Sequence, residues 1–251
     1  GEIYQCPPSK KYMACQKLKV AAISEMENKL AEFGYRMKFP MKSGDLSRRW
    51  CSAYLKIMVA DTVLRNMNSV AANLTKTRKN IKLLIVSGER RGESVGRSKY
   101  NEIEIHRTNA VSKHHRTVHQ WRPVIDYSER DIWEVRKRHK VNPHPCYRAG
   151  WNRCSCAMCI FSTPRLFAGI RELYPKEYAL LCQDEKVLRF TLDNHCDLET
   201  YIGSADSCVY HGDKEAIQSL LTGEFPVESV YVNGKWKYPA GAFHGAAGGP
   251  C

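Results

Sequence analysis

Residues Ile81–Val86 read IKLLIV and run directly into Ser87–Arg97, SGERRGESVGR. A nearly continuous apolar run of strand length is the pattern of a parallel strand covered on both faces. The Ser-Gly pair that follows permits a tight turn, and the polar stretch lies where open α/β sheets place their ligands, beyond the carboxyl end of a strand. The segment therefore predicts an α/β fold with a binding loop over 87–97.

Towards the N-terminus, Leu18, Ala22, Met26, Leu30 and Phe33 recur at helical spacing, which predicts an amphipathic helix over about Cys15–Phe33 stopped by Gly34. Tyr35–Phe39 reads as a short strand ended by Pro40. Ser47 is read as the cap of a second helix through Trp50, Tyr54, Ile57, Met58 and Val63 to about Asn73. Towards the C-terminus, a second strand is expected near Glu102–His106, followed by a basic loop carrying His114, His115 and His119. Ser128 should cap a helix bearing Ile132, Trp133 and Val135, ended by Asn142, Pro143 and Pro145. Thr163 and Pro164 read as the cap and first position of a helix through Leu166, Phe167, Ile170 and Leu173. Beyond about Asp193 the pattern is less periodic. A small helix over Ala216–Leu221, a hairpin of Val230–Val232 with Lys235–Tyr238 across Asn233-Gly234, and a flexible Gly/Ala-rich tail are expected there. These readings divide the chain into an α/β nucleotide-binding-like core over 1–140, a cysteine-rich segment with helices over 141–192, and a small C-terminal appendage over 193–251.

A chain of 251 residues that is 43% apolar can bury a substantial core. It has no run of about 18 apolar residues and no signal-peptide pattern at its start, so a soluble, cytoplasmic location is expected. Its 39 Lys plus Arg against 26 Asp plus Glu leave a formal charge of +13, which favours an anionic partner such as a nucleotide, sulfate, phosphate or nucleic acid. A basic surface also serves solubility.

Four of the 11 cysteines fall within HPCYRAGWNRCSCAMCIF, at Cys146, Cys154, Cys156 and Cys159. Such clustering favours metal ligation over scattered disulfides in a chain long enough not to need them. Thiolates are soft donors, and the C-x-x-C turn of Cys156 and Cys159 lets two sulfurs converge on one ion or cluster. Further donors could come from Cys146 or Cys154 nearby, or from Cys51 on the RWC segment. A redox dithiol and plain core packing are the competing readings. In the 87–97 loop, Arg90, Arg91, Ser94 and Arg97 offer guanidinium forks, a hydroxyl and backbone amides to an oxyanion. A solvated basic loop would look similar.

These two constellations, with RRWCSAYLK at Arg48–Lys56 and HQWRPVIDYSERDIW at His119–Trp133, resemble the phosphoadenosine phosphosulfate (PAPS) reductase-like family of adenine-nucleotide α-hydrolases. The resemblance implies a parallel-sheet, Rossmann-like α/β core that binds ATP, PAPS or adenosine phosphosulfate (APS), with Lys56, Arg90, Arg91, Ser94 and Arg97 gripping sulfate or phosphate. It also implies a four-iron (4Fe-4S) cluster on Cys51, Cys156, Cys159 and a fourth ligand. Trp50 stands where cluster-bearing reductases have a further cysteine, and Cys146 is preferred to Cys154 for the vacant role. By the same resemblance His119 is held near the site as a catalytic group, and Cys251 is a candidate catalytic thiol, although the residues around it do not match the family's pattern.

The family's SGGxDS-type phosphate loop is absent from the sequence, so the nucleotide-binding part is expected to be incomplete at the N-terminus. The function expected is a sulfonucleotide reductase-like oxidoreductase or ATP-dependent sulfurtransferase, with a thiol or sulfur-donor protein as partner. Sulfur transfer to DNA or tRNA and a non-catalytic, zinc-stabilised binding module are the alternatives.

Overall fold

The computed structural model of the protein describes residues 38–75 and 80–244, leaving aside the side chains of 68–75. The helix expected over 15–33, most of the strand over 35–39, and Cys251 lie outside the described residues. Two units emerge, Pro40–His139 and Lys140–His244.

The first unit opens with a helical stretch in three parts: a turn Trp50–Ser52, a π-helical turn Ala53–Ile57, and helix α1, Met58–Thr75. The helix starts at Trp50 rather than just after Ser47, because the Ser47 hydroxyl is occupied in the preceding turn, where it donates to Asp45 Oδ2 at 2.7 Å. Three strands follow: β1, Ile81–Val86; β2, Ile103–Ile105; and β3, Arg116–Trp121. They form a mixed sheet in the order β1-β3-β2, with β1 parallel and β2 antiparallel to β3. The fully parallel sheet expected from the sequence is thus corrected to a mixed one among the described residues.

β3 lies in the stretch read as a His-rich loop. Its sequence, RTVHQW, hides the strand because the buried face begins with a charge. Arg116 and Val118 point inward, and the Arg116 guanidinium is satisfied by the carbonyl oxygens of Thr108 and Arg65 at 3.0 and 2.9 Å. The register sets Leu84 and Ile105 on either side of His119, and Val86 and Ile103 on either side of Trp121. That face is open among the described residues: Leu84 and Val86 are each 58% exposed. β1 therefore alternates, half-buried and exposed, where its apolar sequence predicted cover on both faces. Helix α2, Glu129–Arg138, completes the unit. Its Ser128 cap forms as expected, with the hydroxyl accepting from Asp131 N at 3.2 Å and the Asp131 carboxylate accepting from Ser128 N at 2.8 Å.

The second unit holds five helices among the described residues: α3, Pro145–Arg148; α4, Pro164–Leu173; α5, Pro175–Leu188; α6, Leu198–Ile202; and α7, Lys214–Thr222. Its core is Phe167 and Ile170 of α4 with Leu181 of α5 and Leu198 and Ile202 of α6, all essentially inaccessible to solvent. Gly169 lets α4 approach closely, since a Cβ there would sit 2.6 Å from Cys208 Sγ and 2.9 Å from the Trp151 ring. Buried Glu185 ties the turn after α5 to α6 by accepting from Leu192 N and Leu198 N, each at 2.8 Å.

No hairpin forms over 230–238. Val227–Val230 is a 3-10 turn, and the following backbone pairs with 140–142 instead. Asn142 N donates to Val230 O at 2.8 Å, Val232 N to Lys140 O at 2.9 Å, and Trp236 Nε1 to Val141 O at 2.9 Å. No helix among the described residues is long and apolar enough to cross a membrane.

Candidate functional site

The loop beyond β1 is built by its own ion pairs. Ser87 N donates to Trp121 O at 3.0 Å, continuing the β1–β3 ladder into the loop, and Arg91 N donates to Ile125 O at 2.8 Å. Ser94 Oγ accepts from Arg97 N at 3.2 Å, tying the loop to the first residue of the 3-10 turn Arg97–Lys99. The arginines expected to receive an oxyanion carry structural bonds as well. Arg91 reaches Asp126 at 2.8 Å and Tyr100 O at 2.6 Å. Arg90 and Arg97 share a single carboxylate, Glu93, at 3.4 and 2.9 Å.

Arg49, buried just before Trp50, lies within electrostatic reach of Arg97 and Cys51. Burial holds its guanidinium below the ordinary arginine range, and the like charge of Arg97 adds to the effect. Lys56 is exposed on the π-helical turn, a distortion that recurs at functional sites. Arg122, just past β3, fixes the base of the loop through Glu89 at 2.6 Å and Glu104 at 2.7 Å. His119 is exposed at the middle of β3 on the open sheet face, rather than in a loop. Arg49, Glu89, Glu93 and Arg122 are the members of this arrangement that sequence reading missed. The doubled arginine of RRWC and the alternating charges of SGER were the available signals.

In the second unit, the cysteine segment folds into a turn held from several sides. Trp151 N donates to Cys146 O at 2.9 Å, Gly241 N to Tyr147 O at 2.8 Å, and Tyr210 N to Ala149 O at 2.9 Å. Gly150 has φ +108°, and a Cβ there would collide with the Cys208 carbonyl. Arg148 anchors α3 to the start of α7 through both oxygens of Asp213, at 2.8 and 2.9 Å, and through Glu215 at 3.1 Å.

The turn brings His144, Cys146 and Cys154 together, with one ligating atom from each within 4.8 Å of the others. His144 caps α3, Nδ1 accepting from Cys146 N at 3.2 Å, and its ring stacks on Phe225 with centroids 6.0 Å apart. The hydrogen bond with Cys154, and then burial, push the Cys146 thiol far above the usual thiol range. Cys156 and Cys159 lie outside this group, and Cys51 belongs to the other unit. Cys208 is core material: burial pushes its thiol up to about 12. Cys146, Cys156, Cys159, Cys182 and Cys208 are free thiols.

A four-iron cluster asks for four donors, usually all thiolate, whereas the group assembled here offers two thiols and an imidazole, a donor set suited to a single ion such as zinc.

Fold and site together define a mixed α/β protein with an arginine-rich loop beyond the carboxyl ends of a parallel strand pair and a thiol-rich turn in a separate helical unit. The chain belongs to the phosphoadenosine phosphosulfate reductase domain family, which it matches over residues 7–162. The expectation drawn from the four sequence segments is thereby met. Membership implies the nucleotide α-hydrolase-like fold. The chain is also 30% identical over 71 residues to an uncharacterized 37.8 kDa protein in the gpa 5' region of Escherichia phage 186, a match covering 28% of this chain and 21% of the phage protein. No solved structure matches.

Proposed function

We propose that the protein binds an adenine nucleotide or sulfonucleotide beyond the carboxyl ends of β1 and β3 and carries out sulfur chemistry there, either reduction of a sulfonucleotide or ATP-dependent transfer of sulfur from a donor thiol. The observation that carries this reading is the sharing of one carboxylate, Glu93, by Arg90 and Arg97. The loop's own arginines, Arg90, Arg91 and Arg97, outnumber its acids, Glu89 and Glu93, and buried Arg49 lies within electrostatic reach of Arg97. A sulfate or phosphate group competes with Glu93 for the two forks, and bidentate guanidinium bonds to such anions are among the strong ones. Lys56, Ser94 and Arg91 complete the proposed grip, with Ser94 and Arg91 contributing mainly by holding the loop in shape. His119 is the proposed proton-transfer group, and its exposure keeps it open to substrate.

The test is calorimetric titration of the full chain with ATP, APS and PAPS. Saturable binding of at least one is expected, with R97A weakening it about 10- to 100-fold, the loss of one charge-assisted hydrogen bond. Absence of binding for all three nucleotides, or unchanged affinity in both R90A and R97A, refutes the proposal.

A further inference from the structure

The second unit carries a feature that the nucleotide reading does not use. We infer that His144, Cys146 and Cys154 form a binding site for one thiophilic divalent cation, zinc above all, independent of the Cys156–Cys159 pair.

The first support is distance. A tetrahedral zinc ion, with Zn–S about 2.3 Å and Zn–N about 2.0–2.1 Å, places its donors about 3.3–3.8 Å apart. The three donor atoms already lie within 4.8 Å of one another, so closure asks for shifts of about 1 Å. Cys154 is exposed and can supply that movement by rotating its side chain, while Cys146 is half-buried and held on the first turn of α3.

The second support is the way each donor is held. His144 Nδ1 accepts from the Cys146 backbone N–H at 3.2 Å, which holds the imidazole beside the segment that carries the thiol, and metal binding exchanges this hydrogen bond of its one lone pair for the ion. Phe225 fixes the plane of the ring by stacking at an interplanar angle of 13°. Cys154 is brought back beside Cys146 by its backbone N–H, which donates to the Tyr147 hydroxyl at 3.2 Å. Two residues flanking the same loop closure, Gly150 at φ +108° and Gly241 packed against the Trp151 and Tyr147 backbones, admit no side chain without a clash. Precise backbone closure around three donors is what a metal site requires and what a packing cysteine does not.

The third support is chemistry. The donor set has no carboxylate, which disfavours magnesium and calcium, and its two sulfurs and one nitrogen match the borderline-soft preference of zinc. Binding converts two thiols to thiolates and releases their two protons to solvent. The charges of the dication and the two thiolates then cancel in a half-buried turn. Three protein donors leave a fourth position for water or an incoming thiol or sulfur ligand.

The test uses the full chain, stripped of metal and kept reduced, with zinc itself as probe and cobalt(II) as a spectroscopic substitute. The expected result is one equivalent of zinc bound, visible ligand-field bands of a tetrahedral thiolate site with cobalt, and proton release on binding. Because second-shell partners of metal ligands alone are worth about 10- to 100-fold in affinity, loss of a ligand in H144A or C154S should weaken zinc binding at least tenfold. C156S and C159S should leave it unchanged. Cys154 is exposed, so C154S is expected to keep the wild-type melting profile, and H144A, which also removes the α3 cap, to lower it by no more than a cap is worth, which separates loss of a ligand from loss of the fold. Unchanged zinc affinity in H144A and C154S overturns the inference. So does a loss confined to C156S and C159S, or isolation of iron with acid-labile sulfide that H144A retains. None of these outcomes depends on nucleotide binding, so this inference and the proposed function can fail separately.

Discussion

Replacing Arg122 with methionine should destabilise the first unit and identify the residue that anchors the base of the binding loop. The Arg122 side chain is 4% exposed and makes three kinds of contact at once. It donates to Glu89 at 2.6 Å, to Glu104 at 2.7 Å and to Asn101 O at 2.8 Å, and it lies over the Tyr100 ring at 4.6 Å. Burial alone would lower the guanidinium's hold on its proton, but the bonds to Glu104 and Glu89 outweigh it and raise that hold.

Methionine keeps much of the stem volume, so the loss is largely electrostatic and hydrogen-bonding rather than a cavity. Removing one partner from a fully buried ion pair costs about 3–5 kcal/mol. Here the two carboxylates are 28% and 37% exposed and regain some hydration, which reduces the expected cost to about 2–3 kcal/mol. For a chain of this size that corresponds to a melting shift of about 4–12 °C. Urea titration should show a lower midpoint at constant slope. R122K retains the charge but not the planar fork and should recover only part of the loss. The double variant R122M/E89Q should cost less than the sum of the single ones, because Glu89 no longer needs the missing cation. A stability change in R122M below about 0.5 kcal/mol, the range of an ordinary surface substitution, would refute the reasoning.

Asp61, 8% exposed and bonded twice by Arg107 at 2.9 and 2.8 Å, has its carboxyl held below the usual range by that guanidinium. A depressed folded-state value means a stabilising contribution that is complete above about pH 4 and fades as pH falls through the folded value. D61N should therefore melt below wild type at pH 7, by about 1–3 kcal/mol, with the gap closing under acid. A gap independent of pH in parallel melting series would contradict the ion-pair account. In the second unit, G150A forces a side chain onto the Cys208 carbonyl at φ +108° and should cost about 2–4 kcal/mol by urea denaturation. An unchanged midpoint would mean that the turn is not closed as described.

Legibility in the sequence followed the locality of the forces. IKLLIV announced β1, Ser128 announced the cap of α2, and Thr163-Pro164 announced α4, because apolar runs and caps act within a few residues. β3 was missed because its buried face starts with Arg116, whose partners, Thr108 O and Arg65 O, are distant in the chain. The expected hairpin over 230–238 rested on a good Asn-Gly turn. Its backbone donors and acceptors found 140–142 instead, a competition that local turn chemistry does not reveal. The helix α5 carried no resolved pattern because its inward face mixes Tyr178, Leu181 and Cys182 with the charged Glu185.

The same division runs through the candidate site. The sequence by itself determined the family, from four ordered segments spanning the core, and placed the arginine-rich loop beyond a parallel strand. It also marked out the cysteine segment, since clustered thiols are visible without a fold. Only the tertiary structure decided which donors meet there. The C-x-x-C spacing drew attention to Cys156 and Cys159, while the closed turn at Gly150 and the cap at His144 bring His144, Cys146 and Cys154 within 4.8 Å. It likewise showed that Arg90 and Arg97 share Glu93, and that buried Arg122 holds Glu89. Spacing along a chain limits which side chains can meet locally, but the pairing of charges and the convergence of ligands depend on backbone closure and burial, which are set by contacts far apart in sequence.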